Sequence, residues 1–149
     1  MAHDFHILLV DDSPSDALII ERALREEGIA HRLTILQDGR AALDYLVGLK
    51  DPEAAPELDP DLVLLDLNLP GLDGCQVLAA IKNDSELRPI PVVILTTSDR
   101  DEDIVQTYAA GANSFIRKPD EYPRYRELVA TLRRYWHETA LRRPRRSPP

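Results

Sequence analysis

The sequence is poor in cysteine and has no long apolar run. Cys75 is its one cysteine, which excludes an internal disulfide and a metal site built from several thiolates of one chain. Wholly apolar stretches reach four or five residues, too short to cross a bilayer. The first residues show no basic region followed by an apolar segment, which argues against a secretory signal. The sequence therefore predicts a cytoplasmic protein with no membrane partner.

Basic residues are outnumbered by acidic ones. The chain has 18 Lys and Arg against 26 Asp and Glu, a formal net charge of -8. Four arginines lie within residues 142–146 and no acid follows residue 138, so residues 1–138 alone carry -12. Such an acidic body lacks the basic face that binding to duplex DNA requires. We expect cations or protein surfaces as ligands and no nucleic acid.

Length and composition indicate one globular domain. A chain of 149 residues is long enough for one core, and 44% hydrophobic with 30% charged residues is ordinary for a globular protein. From Thr139 onward the sequence consists mainly of Arg, Pro and Ser, which cannot build a core. We predict a single domain over residues 1–138 and a disordered basic tail over residues 139–149.

Five short apolar runs alternate with five segments of helical periodicity. The runs lie at residues 5–10, 32–36, 62–65, 91–95 and 114–117. The run at residues 5–10 is nearly continuous in its hydrophobicity, as is typical of strands buried on both faces, and the run at residues 32–36 is weaker. Helix caps are expected at Ser13 and Ser98, helix ends at Gly28 and Gly111, and a surface loop at residues 50–60. Because crossovers between parallel strands are right-handed, we predict an α/β fold, a doubly wound five-stranded parallel sheet of the flavodoxin-like type.

Polar side chains follow four of the five predicted strands. Because the carboxyl ends of parallel strands meet at one edge, where open α/β sheets place their ligands, we expect these side chains to lie close together. They are Asp11, Asp12, Asp66, Thr96, Thr97 and Lys118.

The expected acidic cluster has a definite chemistry. Three carboxylates in a partly desolvated site need a compensating charge, and oxygen ligands with retained water favour Mg²⁺. A carboxylate beside Mg²⁺ and an ammonium is positioned to attack phosphorus. Asp66 is then the candidate nucleophile and a metal ligand. Asp12 is a direct metal ligand, and Asp11 a ligand through water. The backbone carbonyl of Asn68 completes the shell, while Lys118 and a threonine hydroxyl bind phosphoryl oxygens.

Four motifs in order resemble the receiver domain of two-component response regulators. The motifs are Val-Asp11-Asp12-Ser, Leu-Leu-Asp66-Leu-Asn-Leu-Pro-Gly-Leu-Asp-Gly, Ile-Leu-Thr96-Thr-Ser and Lys118-Pro119, within a resemblance that covers residues 5 to about 137. The resemblance implies that a histidine kinase donates a phosphoryl group to Asp66 with Mg²⁺ bound. It also selects Thr96 over Thr97 as the phosphoryl-binding hydroxyl. Because no output domain follows, a stand-alone receiver that switches protein contacts is expected.

A finer resemblance is to the small receivers that partner phytochrome-type histidine kinases. It rests on the proline-rich insert before the Asp66 strand, on the phrases around Asp66 and Thr96, and on the late Tyr135-Trp136. The family resemblance also identifies Phe115 as the aromatic switch position. Many receivers carry Thr or Tyr there, and Phe115 has no hydroxyl for a hydrogen-bonded inward state. Receivers commonly dimerise through the fourth helix, fifth strand and fifth helix, which implies a homodimer through these elements.

Two other functions remain open. A Mg²⁺-dependent phosphotransferase or phosphatase acting on a small molecule would use the same aspartyl nucleophile. Such hydrolases typically place a second acid two residues after the nucleophile, where this chain has Asn68, and the chain also lacks a cap insertion. A purely structural module is the other alternative, although all residues needed for phosphorylation are present. We therefore expect a phosphoacceptor signalling protein and not an enzyme.

Overall fold

The computed structural model describes residues 4–139, which form five strands alternating with five α-helices. The elements are β1 (Phe5–Val10), α1 (Pro14–Glu26), β2 (His31–Leu36), α2 (Gly39–Gly48), β3 (Leu62–Leu65), α3 (Gly74–Lys82), β4 (Val92–Thr96), α4 (Asp101–Ala109), β5 (Ser114–Arg117) and α5 (Tyr122–Leu132). All strand pairs are parallel, in the order β2-β1-β3-β4-β5. The predicted fold class is confirmed. The predicted tail, apart from Thr139, lies outside the described residues.

The strand order creates a crevice at the carboxyl ends of β1 and β3. The chain moves from β1 outward to β2 and then returns across β1 to β3, so the helices after β1 and β3 lie on opposite faces of the sheet. Such a reversal leaves an opening above the strand ends, where ligands bind in sheets of this kind. The predicted polar residues follow these strands directly.

Two apolar cores, one on each face, hold the sheet between the helices. Alternate residues of β1 point to opposite sides, with Leu8 and Val10 packing toward α2 and α3, and Ile7 and Leu9 toward α1 and α5. Every residue of β1, β3 and β4 is buried. Burial on both faces explains why these strands appear in the sequence as almost continuous apolar runs.

Gly74, at the start of α3, lets the helix pack closely against the end of β3. A Cβ atom at this position would overlap the carbonyl oxygen of Asp66 and lie 2.6 Å from the Cα of Leu67. The backbone N–H of Gly74 donates to the carbonyl of Leu67 at 3.0 Å, and Asp73 and Gln76 form a capping box around the helix start. Because glycine has no Cβ, the start of α3 can lie this close to the loop that carries Asp66.

The structure differs from the sequence prediction at α4. Ser98 is not its cap, because the helix begins after Arg100, and the Ser98 hydroxyl donates instead to the Asp103 carboxylate at 2.6 Å. The apolar residues that mark this helix in the sequence do not all face the core, since Val105 is 67% exposed and Tyr108 is 48% exposed. Helical periodicity indicates a helix, but it does not show that another element covers its apolar face.

The insert before β3 has more structure than the predicted loop. Pro56–Leu58 forms a turn of 3₁₀-helix, and the Tyr45 hydroxyl donates to the carbonyl of Leu58 at 2.6 Å. Leu58 packs against the apolar core on the α2 side. Within residues 4–139, no helix combines the length and apolar character that a bilayer crossing requires.

Candidate functional site

The strand ends bring the predicted site residues together at one edge. Asp11 follows β1, Asp66 follows β3, Thr96 ends β4 and Lys118 follows β5, and all four are buried, whereas Asp12 is exposed. Backbone hydrogen bonds continue beyond the strands and align their ends. The N–H of Asp66 donates to the carbonyl of Val10 at 3.0 Å, and that of Lys118 donates to the carbonyl of Thr96 at 2.7 Å.

The Lys118 ammonium lies among three carboxylates. Its Nζ is 2.9 Å from Oδ2 of Asp11, 2.9 Å from Oδ2 of Asp66 and 2.7 Å from Oδ2 of Asp16. Sequence reasoning placed Asp11 and Asp66 correctly beside Lys118 but missed Asp16. The Ser13 to Asp16 spacing favoured a helix cap, and no local signal indicated a contact between residues 102 positions apart.

The charge on Lys118 is secured by these acids. Burial alone would lower the pKa of the ammonium, but its ion-pair contacts with Asp16, Asp66 and Asp11 outweigh that effect and hold the pKa well above its usual value. Burial raises the pKa of the Asp11 carboxyl, although the backbone N–H of Ser13 and Lys118 both oppose the increase. The site is thus an ammonium that stays charged beside an acid that is costly to ionise.

The three acids suit a hard divalent cation. Asp11, Asp12 and Asp66 each offer a carboxylate oxygen, and these oxygens lie within 4.8 Å of one another. Oδ2 of Asp11 is buried and, within the described part of the chain, receives no well-oriented hydrogen bond, although Lys118 Nζ is close by. A buried acceptor with spare bonding capacity beside two further carboxylates fits an oxygen-liganded metal.

Asn68 is tied to Asp66 in the loop after β3. Its backbone N–H donates to Oδ1 of Asp66 at 3.1 Å, which orients the Asp66 carboxylate. A metal bond from the Asn68 carbonyl stays a prediction.

The two threonines after the apolar run of β4 are distinguished by burial. Thr96 is fully buried and Thr97 is exposed. The Thr96 hydroxyl accepts a long hydrogen bond, 3.4 Å, from the backbone N–H of Ser98. Side chains alternate along a strand, so only one of two successive threonines can face the site.

Phe115 is half-buried and packs against the core on the α2 and α3 side. Its backbone N–H donates to the hydroxyl of Tyr108 on α4 at 3.1 Å. A hydroxyl therefore does occur next to the predicted switch position, but it belongs to Tyr108. Its bond joins α4 to β5 and leaves the Phe115 ring in apolar contact.

Asp11→Asn is expected to stabilise the protein. The raised pKa of Asp11 means that the fold disfavours its ionised form, so this group lowers the free energy of unfolding as pH rises through its unfolded and then its folded pKa. Asparagine removes that cost and can keep the hydrogen bond from the Ser13 N–H. At pH 7 without divalent metal, urea unfolding is expected to show a gain of about 0.5–2 kcal/mol, the usual size of a stabilising substitution. This gain in the free energy of unfolding over the wild type should shrink at acidic pH, and a gain that does not change with pH would contradict the explanation.

Comparison with known proteins agrees with this geometry. The family model described as response regulator receiver domain matches residues 7–130. The probable methanogenesis regulatory protein FilR2 of Methanothrix harundinacea is 42% identical over 132 residues, covering 89% of this chain and 83% of FilR2. Response regulator Rcp1 of Synechocystis is 40% identical over 133 residues, covering 89% of each protein.

Solved structures show the same similarity in three dimensions. The Mn²⁺-bound form of Rcp1 superposes with a TM-score of 0.82 at 38% identity, covering 93% of this chain and 99% of that one. The phosphorylated cyanobacterial phytochrome response regulator RcpA superposes with a TM-score of 0.85 at 36% identity, covering 95% of this chain and all of that one. With its buried acids and lysine at the strand ends, this chain belongs to the response regulator receiver domain family.

Proposed function

We propose that Asp66 accepts a phosphoryl group from a sensor histidine kinase and that the phosphorylated chain changes its protein contacts. The observation that carries this proposal is the position of the Asp66 carboxylate. It is buried, 2.9 Å from the Lys118 ammonium, and within 4.8 Å of carboxylate oxygens of Asp11 and Asp12. Phosphoryl transfer needs a positioned nucleophile and positive charge around the transferring group, and these residues supply both.

The transfer step follows from these positions. A carboxylate oxygen of Asp66 attacks phosphorus, a P–O bond forms, and the P–N bond to the kinase histidine breaks. The bonding electron pair leaves with the imidazole, which takes up a proton. Lys118 donates to one phosphoryl oxygen. The Thr96 hydroxyl donates to another once its side chain has rotated away from the backbone N–H of Ser98. Mg²⁺ bound by Asp11, Asp12, Asp66 and the Asn68 carbonyl would supply further positive charge.

The same residues favour a signalling protein over an enzyme. A phosphatase acting on a small molecule needs a general acid beside the nucleophile, and Asn68 has no acidic proton to give. We propose that residues 1–138 act as one receiver domain in the cytoplasm, without nucleic acid, and that the only turnover is loss of the phosphoryl group from Asp66 to water.

The proposed kinase is a phytochrome-type sensor. Support comes from RcpA, which is described as a phytochrome response regulator and aligns with 95% of this chain. FilR2, a probable methanogenesis regulatory protein, is more similar in sequence than RcpA, at 42% against 36% identity, so the kinase has to be tested directly. Transfer from a phosphorylated phytochrome-type kinase should be faster than transfer from an unrelated histidine kinase, and equal rates would remove the support for this partner.

Labelling should require Mg²⁺. The chain, incubated with acetyl phosphate and MgCl₂, is expected to gain one phosphoryl group, seen as a single mass increase of the intact protein. Excess chelator should reduce the rate by at least about a hundredfold, because a metal at a phosphoryl-transfer site supplies several kcal/mol of charge stabilisation. Mn²⁺ should restore labelling, and undiminished labelling in chelator would overturn the metal assignment.

A homodimer through α4, β5 and α5 is proposed as the contact that phosphorylation changes. Val105 and Tyr108 present exposed apolar area on α4, and Tyr135 is 55% exposed beyond α5. The other late aromatic side chains contribute less, since Tyr125 is buried in the core and Tyr122 packs against it. Sedimentation velocity should show a dimer fraction that grows with beryllofluoride, and a monomer under both conditions at tens of micromolar (roughly the range for interfaces of modest area) would contradict it.

A further inference from the structure

Asp16 makes a contact with Lys118 that the assigned site does not explain. Its Oδ2 accepts a hydrogen bond from Lys118 Nζ at 2.7 Å, which is shorter than the 2.9 Å separations to Asp66 and Asp11. Asp16 belongs to the first turn of α1, and Lys118 follows β5, 102 residues later. Only the folded site can therefore form this contact.

The Asp16 carboxylate does not cap α1. Ser13 is the N-cap, and its hydroxyl accepts from the Asp16 backbone N–H at 3.2 Å. In a complete capping box the Asp16 side chain would accept from the Ser13 N–H, but that N–H donates to Oδ1 of Asp11 at 2.9 Å. The Asp16 carboxylate is directed to Lys118 instead.

The division of Lys118's donors matters for phosphorylation. An ammonium has three N–H donors, and here three carboxylates lie within ion-pair distance of it. A phosphoryl group on Asp66 brings anionic oxygens that are strong acceptors of the same donors. The N–H that Lys118 donates to Asp16 is not available to a phosphoryl group on Asp66 unless the contact with Asp16 breaks.

We propose that Asp16 is a positioning residue that holds the Lys118 ammonium and competes with the phosphoryl group for it, thereby setting how tightly the site binds that group. The inference rests on the proposed function, since it takes Asp66 as the phosphoryl acceptor. Asp16 thereby influences how long the phosphoryl group stays on Asp66 and how tightly the site holds it.

The test measures binding of beryllofluoride, a tetrahedral phosphoryl analogue, by isothermal titration calorimetry in saturating MgCl₂. Asp16→Asn replaces the charged competitor with a weaker, neutral acceptor and should tighten binding roughly three- to tenfold, within the range for coupled neighbours in one ion-pair network. Asp16→Glu keeps the carboxylate and should restore most of the wild-type affinity. Asp16→Ser, a second variant without the carboxylate, should tighten binding as Asp16→Asn does.

Asp120→Asn is the matched charge control. Asp120 lines the same small cavity as Lys118 and, within residues 4–139, forms no ion pair with it. Its removal should leave the beryllofluoride affinity within about twofold of the wild type, because it frees no donor of Lys118. A general effect of negative charge would shift both variants alike, whereas simple damage to the site would weaken binding.

The outcomes separate this inference from the proposed function. In one outcome the wild type binds beryllofluoride and Asp66→Asn does not. Unchanged or weaker binding by Asp16→Asn and Asp16→Ser would then reject only the inference. Equal tightening by Asp120→Asn would reject it as well. If the wild type itself does not bind beryllofluoride, the proposed function fails and the inference fails with it.

Discussion

Replacing Asp66 with asparagine is expected to abolish phosphoryl labelling while leaving the fold intact. The amide oxygen of asparagine is a far weaker nucleophile than a carboxylate, so the rate with acetyl phosphate should fall by at least about a thousandfold, as it does when enzymes lose their nucleophile. Asparagine can still accept from the Asn68 N–H, and Lys118 keeps its contacts with Asp11 and Asp16. Circular dichroism should therefore match that of the wild type.

Two measurements make the Asp66 result decisive. Peptide mapping of the wild type should place the phosphoryl group on the peptide that contains Asp66 and not on the one that contains Asp12. Asp44→Asn, which removes an exposed acid from α2, should label at the wild-type rate. Full labelling of Asp66→Asn, or a modified Asp12 peptide in the wild type, would show that a different acid is the acceptor.

The sequence predicts this fold well because its central strands are buried on both faces. β1, β3 and β4 contain no exposed residue, so their sequences are almost wholly apolar, with His6 and Thr96 as the exceptions. The site follows from the same feature, since polar residues placed directly after such runs must meet where parallel strands end. Asp11, Asp66 and Lys118 were found in this way, whereas the family resemblance was needed to select Thr96 over Thr97.

Asp16 and α4 show where sequence reasoning ends. Asp16 has the spacing of a capping residue, and its contact with Lys118 depends on how α1 lies against the end of β5, which no local pattern encodes. The apolar residues of α4 have helical spacing, yet Thr107 is the buried residue of that helix while Val105 is exposed. Both features depend on which elements pack against each other, so they required the three-dimensional structure.

Lys118→Ala is expected to destabilise the protein strongly in the absence of divalent metal. The substitution leaves Asp11, Asp16 and Asp66 near one another without their shared cation, and breaking a buried ion pair on one side costs about 3 kcal/mol or more. The pKa of Lys118 is raised in the fold, so its stabilisation is fully present at pH 7 and would be lost only well into the alkaline range. Urea unfolding at pH 7 should show the deficit.

Mg²⁺ and acid should each repair part of this defect. A cation that binds only the folded acids adds stability as its concentration rises, and the gain should be larger in Lys118→Ala than in the wild type. Protonation of the acids at low pH relieves the same repulsion. Lys50→Ala, which removes a partly exposed ion pair with Asp84, should cost at most about 1 kcal/mol and show no such dependence on Mg²⁺.

The same variant separates uptake of the phosphoryl group from the response to it. Asp66 and the proposed metal ligands remain, so Lys118→Ala at high Mg²⁺ should still be labelled, though more slowly. The ammonium that would link the phosphoryl group to β5 is absent. In NMR spectra, beryllofluoride should therefore cause much smaller chemical-shift changes at the backbone amides of Thr96 and Phe115 than in the wild type. Because Lys118 joins the buried acids to the strand that carries Phe115, an equal loss of labelling and of these shifts would mean that the lysine only assists the chemistry.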